Sequence, residues 1–249
     1  MNSQAGKVAL ITGANKGLGK ETARRLGRLG MTVLMGARDQ ARGETAAEEL
    51  RSQGFDARSV TLDVTDQETI EDARNLIERE FGRLDVLVNN AGVSFERDRR
   101  PPSRTRVELL RSIYDTNLFG AIAVTNAMIE LLRRSAAGRV VNVSTTMGSS
   151  SIWSDPESPQ RRFAPPLLGY DTSKAALNAA TVHYAIELED TPVKVNAASP
   201  GYVATDLNDH QGQLAVDDED SIAAVIRLAT LPDDGPAGEF HSTDGPVPW

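Results

Sequence analysis

Short apolar runs rich in β-branched residues alternate along this chain with longer stretches in which apolar positions recur every three or four residues. The runs at 7–12, 32–37, 57–62, 84–89, 139–144, 193–198 and 238–241 hold few charges, as strands covered on both faces do. Between them the helical period covers 18–29, 43–53, 67–81, 106–134, 169–189 and 221–230. In the first of these, Leu18, Thr22, Leu26 and Leu29 fall at helical spacing. Strand-then-helix alternation predicts an α/β fold, a doubly wound parallel sheet of about seven strands with helices on both faces. No repeat or linker divides the chain, which predicts one domain over residues 1–249. Two stretches break the rhythm. Residues 95–105 are rich in arginine and proline and read as a mobile loop leading into the long fourth helix. Residues 149–168 mix serine, proline and arginine and read as a loop over the site, neither strand nor helix.

Composition narrows the classes of partner. The 249 residues are 40% hydrophobic and 25% charged, enough for one well-buried core. A net charge of -8 disfavours nonspecific attachment to nucleic acid or to an anionic membrane. Any anion must therefore be held by a local cluster of cations. With no cysteine there are no disulfides and no thiolate metal sites, in keeping with a reducing compartment. The first residues have no signal-peptide pattern and no apolar run is long enough to cross a bilayer, so a cytoplasmic protein is expected. His183, His210 and His241 lack metal-ligand spacing, and no metal is expected.

The first strand ends in Thr12-Gly13-Ala14-Asn15-Lys16-Gly17-Leu18-Gly19 and a helix follows. Glycines there let the backbone turn tightly and approach a pyrophosphate, while the helix N-terminus offers free N–H donors and positive potential. A glycine turn alone is weak, since many strand-to-helix turns contain one; its place on the first strand of a βαβ pattern points to a dinucleotide-binding Rossmann domain. The end of the second strand selects the cofactor. A carboxylate there bonds the ribose 2′-hydroxyl of NAD, whereas arginine accommodates the 2′-phosphate of NADP. This chain has Arg38, then Asp39, with Arg42 one turn on and Lys16 in the glycine loop. Three cations in a net-acidic protein favour NADPH, with Asp39 leaving NAD as the second option.

Tyr170-Asp171-Thr172-Ser173-Lys174 opens a helix, and a spacing of four puts Tyr170 and Lys174 on one face. A phenol normally titrates near about 10 and donates protons poorly at neutral pH. A neighbouring ammonium favours the phenolate, and bringing that pKa down to about 7 corresponds to ~4 kcal/mol. The pair alone is common by chance; its neighbours give it weight. Together with the glycine loop stand Asn89-Asn90-Ala91-Gly92 after the fourth strand, Asn117 in the long helix, and Pro200-Gly201 with Thr205 after the sixth strand. With these five motifs in order, the chain resembles the short-chain dehydrogenase/reductase family from Lys7 to Trp249. Within that family Gly13-Ala14-Asn15-Lys16-Gly17, Arg38-Asp39 with Arg42-Gly43, and Gly235-Pro236-Ala237-Gly238-Glu239-Phe240 with Trp249 resemble NADPH-dependent carbonyl reductases.

The resemblance implies roles. Tyr170 would protonate a ketone or aldehyde oxygen as hydride arrives from NADPH, and act as base in the reverse alcohol oxidation. Lys174 would lower the tyrosine pKa and bond the nicotinamide ribose, and Asn117 would hold a water continuing a proton relay. Asp63 and Val64 would border the adenine, Asn90, Ala91 and Gly92 the adenine ribose, and Val203 with Thr205 the carboxamide. One position departs from the family pattern. Where a Ser-Ser pair is usual, this chain has Ser144-Thr145, so the substrate-orienting hydroxyl falls on Thr145, or on Ser144 if the turn is shifted. Two other readings use the same features: an NAD(P)-dependent alcohol dehydrogenase working oxidatively, and a non-catalytic NADPH-binding sensor. The resemblance also implies a homodimer or homotetramer paired through 106–134 and 169–189. Phe95, Trp153, Phe163 and Tyr202 are candidates to line an apolar substrate pocket.

Overall fold

Strands this apolar need cover on both faces. The computed structural model, which describes residues 4–94, 100–163 and 166–249 and only the backbone of residues 162 and 163, provides it. The strands are β1 (Val8–Ile11), β2 (Thr32–Ala37), β3 (Ala57–Thr61), β4 (Val86–Asn89), β5 (Arg139–Val143), β6 (Lys194–Ala198), β7 (Phe240–Ser242) and β8 (Gly245–Pro246). They form one sheet in the order β3-β2-β1-β4-β5-β6-β7-β8. Alternate residues of β1 serve opposite cores: Ala9 and Ile11 pack with α1 (Gly17–Arg28), α2 (Gln40–Ser52) and α9 (Ala223–Ala229). Val8 and Leu10 pack with α3 (Gln67–Phe81), α5 (Ala121–Arg133) and residues at the end of α8 (Leu168–Glu187). That double cover is why the strands read as unbroken apolar runs.

The strand order reverses at β1, which is flanked by β2 and β4. A crevice outside the carboxyl ends of the strands at this switch point is where such sheets bind ligands. The carboxyl ends of β1, β2, β4, β5 and β6 deliver Gly13, Arg38, Asn90, Thr145 and Gly201 to that one edge.

Several details differ from the expectations. The sheet has eight strands where about seven are expected, and the eighth runs antiparallel to β7, pairing His241 with Pro246 and Ser242 with Gly245. The helix expected over 106–134 is α4 (Val107–Tyr114), a π-helical stretch at Asp115–Gly120, and α5. Residues 149–168 are not irregular throughout: they contain α6 (Ser150–Ser154) and α7 (Pro159–Phe163). Ser149 starts α6 by accepting a hydrogen bond from the Ile152 N–H at 3.2 Å, a side-chain cap that favours a helix start over a loop. In 95–105, Pro102–Arg104 forms a turn of 3-10 helix, while 95–99 lie outside the described residues. The start of α2 also moves forward, because Asp39 caps it by accepting from the Arg42 N–H at 2.9 Å.

Candidate active site

The glycine loop is built around bare backbone. Gly13 and Gly17 have φ of +64° and +55°, conformations that favour glycine. A Cβ on Gly19 would lie 2.5 Å from both Gly13 O and Asn90 Nδ2, so only glycine fits there. The Asn90 amide locks the turn from the neighbouring strand by donating to Thr12 O at 2.8 Å. Ala91 closes it: its N–H donates to Thr12 Oγ1 at 2.9 Å, and its Cα would lie 3.0 Å from a Gly13 Cβ. Lys16 stands at the N-cap of α1 without a side-chain cap, and no acidic residue occupies the first turn. The helix thus presents unspent N–H donors beside Asn15, Gly17 and Leu18, and the donor set fits a pyrophosphate.

At the end of β2, Arg38 is exposed and forms no ion pair among the described residues, while Asp39 is occupied as the α2 cap. Arg42 lies 3.7 Å from Asp39 through its Nε. A capping carboxylate flanked by an arginine is poorly disposed to serve a ribose hydroxyl, and this corner fits a phosphate better. Lys16, the third expected cation, instead forms an ion pair with Asp206 across the mouth of the crevice.

Tyr170 sits in the first turn of α8 and is half-buried; Lys174, one turn on, is buried at 3% exposure. The Lys174 ammonium lies 5.9 Å from the centre of the Tyr170 ring and donates to Val143 O at 2.7 Å. Burial pulls its pKa down to about 8, since removing water disfavours the charged form. Asn117, in the π-helical turn and 1% exposed, clamps the strand-four loop by accepting from Val93 N–H at 2.8 Å and donating to Val93 O at 3.0 Å. Its second amide hydrogen goes to Ser173 Oγ at 3.0 Å, and Ser173 in turn donates to Tyr170 O at 2.7 Å. A Cβ on Gly92 would lie 3.4 Å from Asn117 Oδ1 and 3.6 Å from Lys174 Nζ, so both polar atoms converge on one spot. Asn117, Tyr170, Lys174 and Gly92 are therefore brought together.

The Ser144-Thr145 ambiguity has a geometric side. Ser144 is 2% exposed and its hydroxyl donates to Asn178 Oδ1 at 2.6 Å. Thr145 is half-buried at the carboxyl end of β5, where its Oγ1 accepts from Met147 N–H at 3.2 Å. That bond leaves the Thr145 hydroxyl hydrogen uncommitted to it. Asn178 also donates to Gly148 O at 3.3 Å, pinning both ends of the turn that carries Thr145. Asn178 and Ser173 escaped the sequence reading. The signal for Asn178 was there: it continues the four-residue spacing Tyr170, Lys174, Asn178 along one helix face.

The remaining candidates are spread around this centre. Asp63 is tied up locally, accepting from the N–H and hydroxyl of Thr65 at 2.9 and 2.8 Å, so it does cap its strand end. Val64 is buried against Gly120 of the π-helical turn. After β6, Pro200 and Gly201 lead to Val203, which bridges Leu214, and to Thr205, which starts a 3-10 turn at Asp206–Asn208. A Cβ on Gly17 would meet Thr205 Cγ2 at 4.0 Å, so this segment lies over the glycine loop. Trp153 donates its indole N–H to Met147 O at 2.7 Å and so borders the Thr145 turn. Tyr202 is 54% exposed; Phe95 and the side chain of Phe163 lie outside the described residues. Among the described residues no group of acids and histidines is arranged to hold a metal, and no helix is long and apolar enough to cross a membrane.

Comparison with known proteins gives the family. A family model described as short chain dehydrogenase matches residues 7–214. The chain is 34% identical over 227 residues to the short-chain dehydrogenase anuI of Penicillium roqueforti, covering 90% of this chain and 88% of that protein. It is 30% identical to carbonyl reductase [NADPH] 1 of Bos taurus, covering 99% of this chain and 100% of the relative. Among solved structures, salutaridine reductase from Papaver somniferum superposes with a TM-score of 0.79 at 29% identity, covering 94% of this chain and 99% of that one.

Proposed function

The chain belongs to the short-chain dehydrogenase family, and from that premise we propose an NADPH-dependent reductase of ketone or aldehyde carbonyls, reversible toward alcohol oxidation, in which Tyr170 is the proton donor. The observation that carries this reading is the placement of Tyr170 at the crevice edge with a fully buried Lys174 one turn behind it.

Gly13, Gly17 and Gly19 with the α1 N-terminus would hold the pyrophosphate, and Arg38 with Arg42 the 2′-phosphate. When bound, NADPH supplies the hydride. The chain's own residues do the rest. Tyr170 passes its hydroxyl proton to the carbonyl oxygen as negative charge grows there, and the Lys174 ammonium stabilises the phenolate left behind. Thr145, with its hydroxyl hydrogen available, donates a hydrogen bond to the same oxygen; its methyl group narrows the space beside it. Ser144 is spent on Asn178 and supports the turn instead. Asn117 has used both amide hydrogens, but one lone pair of Oδ1 remains to hold a water beside Lys174, through which the proton of Tyr170 is replenished.

Consumption of NADPH and of NADH over a panel of ketones and aldehydes, by wild type and by Arg38→Asp, tests the reading. The expected result is turnover with NADPH, and a loss of roughly 10–100-fold in NADPH affinity in the variant with NADH little changed, as for removal of a charge-assisted bond. Binding of NADPH without consumption over the whole panel would mark a sensor rather than an enzyme. Equal loss of both cofactors in the variant would refute the phosphate corner.

A further inference from the structure

Lys16 has two claims on it. It precedes Gly17 at the head of α1, where the phosphate end of the cofactor is expected, yet its ammonium is paired with Oδ2 of Asp206, 190 positions along the chain. The turn that carries Asp206 is firmly held. Thr205 N–H donates to Asn208 Oδ1 at 3.0 Å, and Asn208 Nδ2 donates to Val203 O at 2.9 Å. His210 N–H returns to Thr205 O at 2.8 Å, with Asp209 and His210 in left-handed conformations at φ of 50° and 61°. The second oxygen of Asp206 is 2.8 Å from His210 Nε2. A braced carboxylate is thus aimed at the ammonium that the glycine loop would lend to the phosphate corner. Among the described residues Arg38 has no ion pair, and the ion pair of Arg42 is with the cap residue Asp39.

We propose that Asp206 is a selectivity-determining residue. Its carboxylate competes with the cofactor's 2′-phosphate for Lys16, and so reduces the preference for NADPH over NADH. The proposal rests on the NADPH reading above. Both partners are more than half exposed, at 62% and 51% of their side chains, so the pair is weak enough to be exchanged for a phosphate. An exchange of one partner for another costs NADPH the strength of the pair it replaces. NADH, lacking the phosphate, leaves the pair intact.

The test is equilibrium binding of NADPH and of NADH to the full chain, followed by cofactor fluorescence, for wild type, Asp206→Asn, Lys16→Met and the double variant. Asp206→Asn is expected to tighten NADPH by roughly two- to five-fold, the size of an exposed ion pair, and to leave NADH unchanged. In the Lys16→Met background the same change should have no effect. Persistence of the gain without Lys16 would mean simple charge repulsion, and equal tightening of both cofactors a change of loop shape; either overturns the competition while leaving the NADPH reading in place. Equal binding of the two cofactors by wild type and by Asp206→Asn alike would overturn that reading and the proposal with it.

Discussion

Lys174 carries its charge in a buried position, 3% exposed, and in the proposed reaction the tyrosine one turn away depends on it. Burial sets its pKa near about 8 against an ordinary value of 10.5. The unfolded chain therefore binds more protons than the folded one between pH 8 and 10.5, so this group makes the fold gain stability as pH rises through that window. Below pH 8 both states hold the proton and the full penalty, ~3 kcal/mol, is present. Urea unfolding of wild type and Lys174→Met from pH 7 to 10.5 should show wild type gaining on the variant across that interval, while turnover of the variant is lost; parallel curves would mean the lysine is not desolvated. The tyrosine–lysine spacing and the glycine loop were legible in the sequence, because their chemistry follows from spacing along a helix and from backbone freedom in a turn. The geometry of Ser144 and Thr145 was not. Which hydroxyl faces inward depends on Asn178, 34 positions away, and no local pattern encodes that contact.

At the scale of elements, close approach decides where Tyr170 stands. A Cβ on Gly169 would lie 2.6 Å from Ile113 Cδ1 and 3.0 Å from Leu110 Cδ2, so α8 meets α4 through the ends of two flexible side chains that an added methyl would have to displace. Gly169→Ala should move the ends of Ile113 and Leu110 and change stability by no more than about 1 kcal/mol, because those side chains yield and the added methyl favours the helix. Thermal unfolding checks this, and a fall in Tm of more than about 5 °C would show that the helices themselves must separate. The π-helical turn at Asp115–Gly120 has a similar positional effect, turning Asn117 toward Val93 and Ser173. Such insertions are frequent at functional sites. It was hidden in the sequence because the apolar period runs from α4 into α5 with no proline between them, and one widened turn leaves that period nearly intact. The short helices α6 and α7 were hidden for the opposite reason: at five residues each they are too brief to show a period.

Over the whole molecule, the strand order gathers distant motifs at one edge. Gly13, Arg38, Asn90, Thr145 and Gly201 are far apart in the chain, and all follow parallel strands. That much was legible, since alternating strands and helices nearly dictate the topology. The antiparallel β8 was not, because two residues carry no alternation. The ion pair between Lys16 and Asp206 was equally out of reach, as it joins the first crossover to the segment after β6. The proposed reaction needs a phenol that yields its proton at the mouth of a cofactor crevice. Its most direct test is Tyr170→Phe, with NADPH affinity measured by equilibrium titration and carbonyl reduction followed by loss of nicotinamide absorbance in the same preparation. The predicted result is an affinity within about two-fold of wild type and a rate lower by roughly 10²–10⁴-fold, the range for a lost general acid. A variant that reduces the substrate as fast as wild type would contradict it.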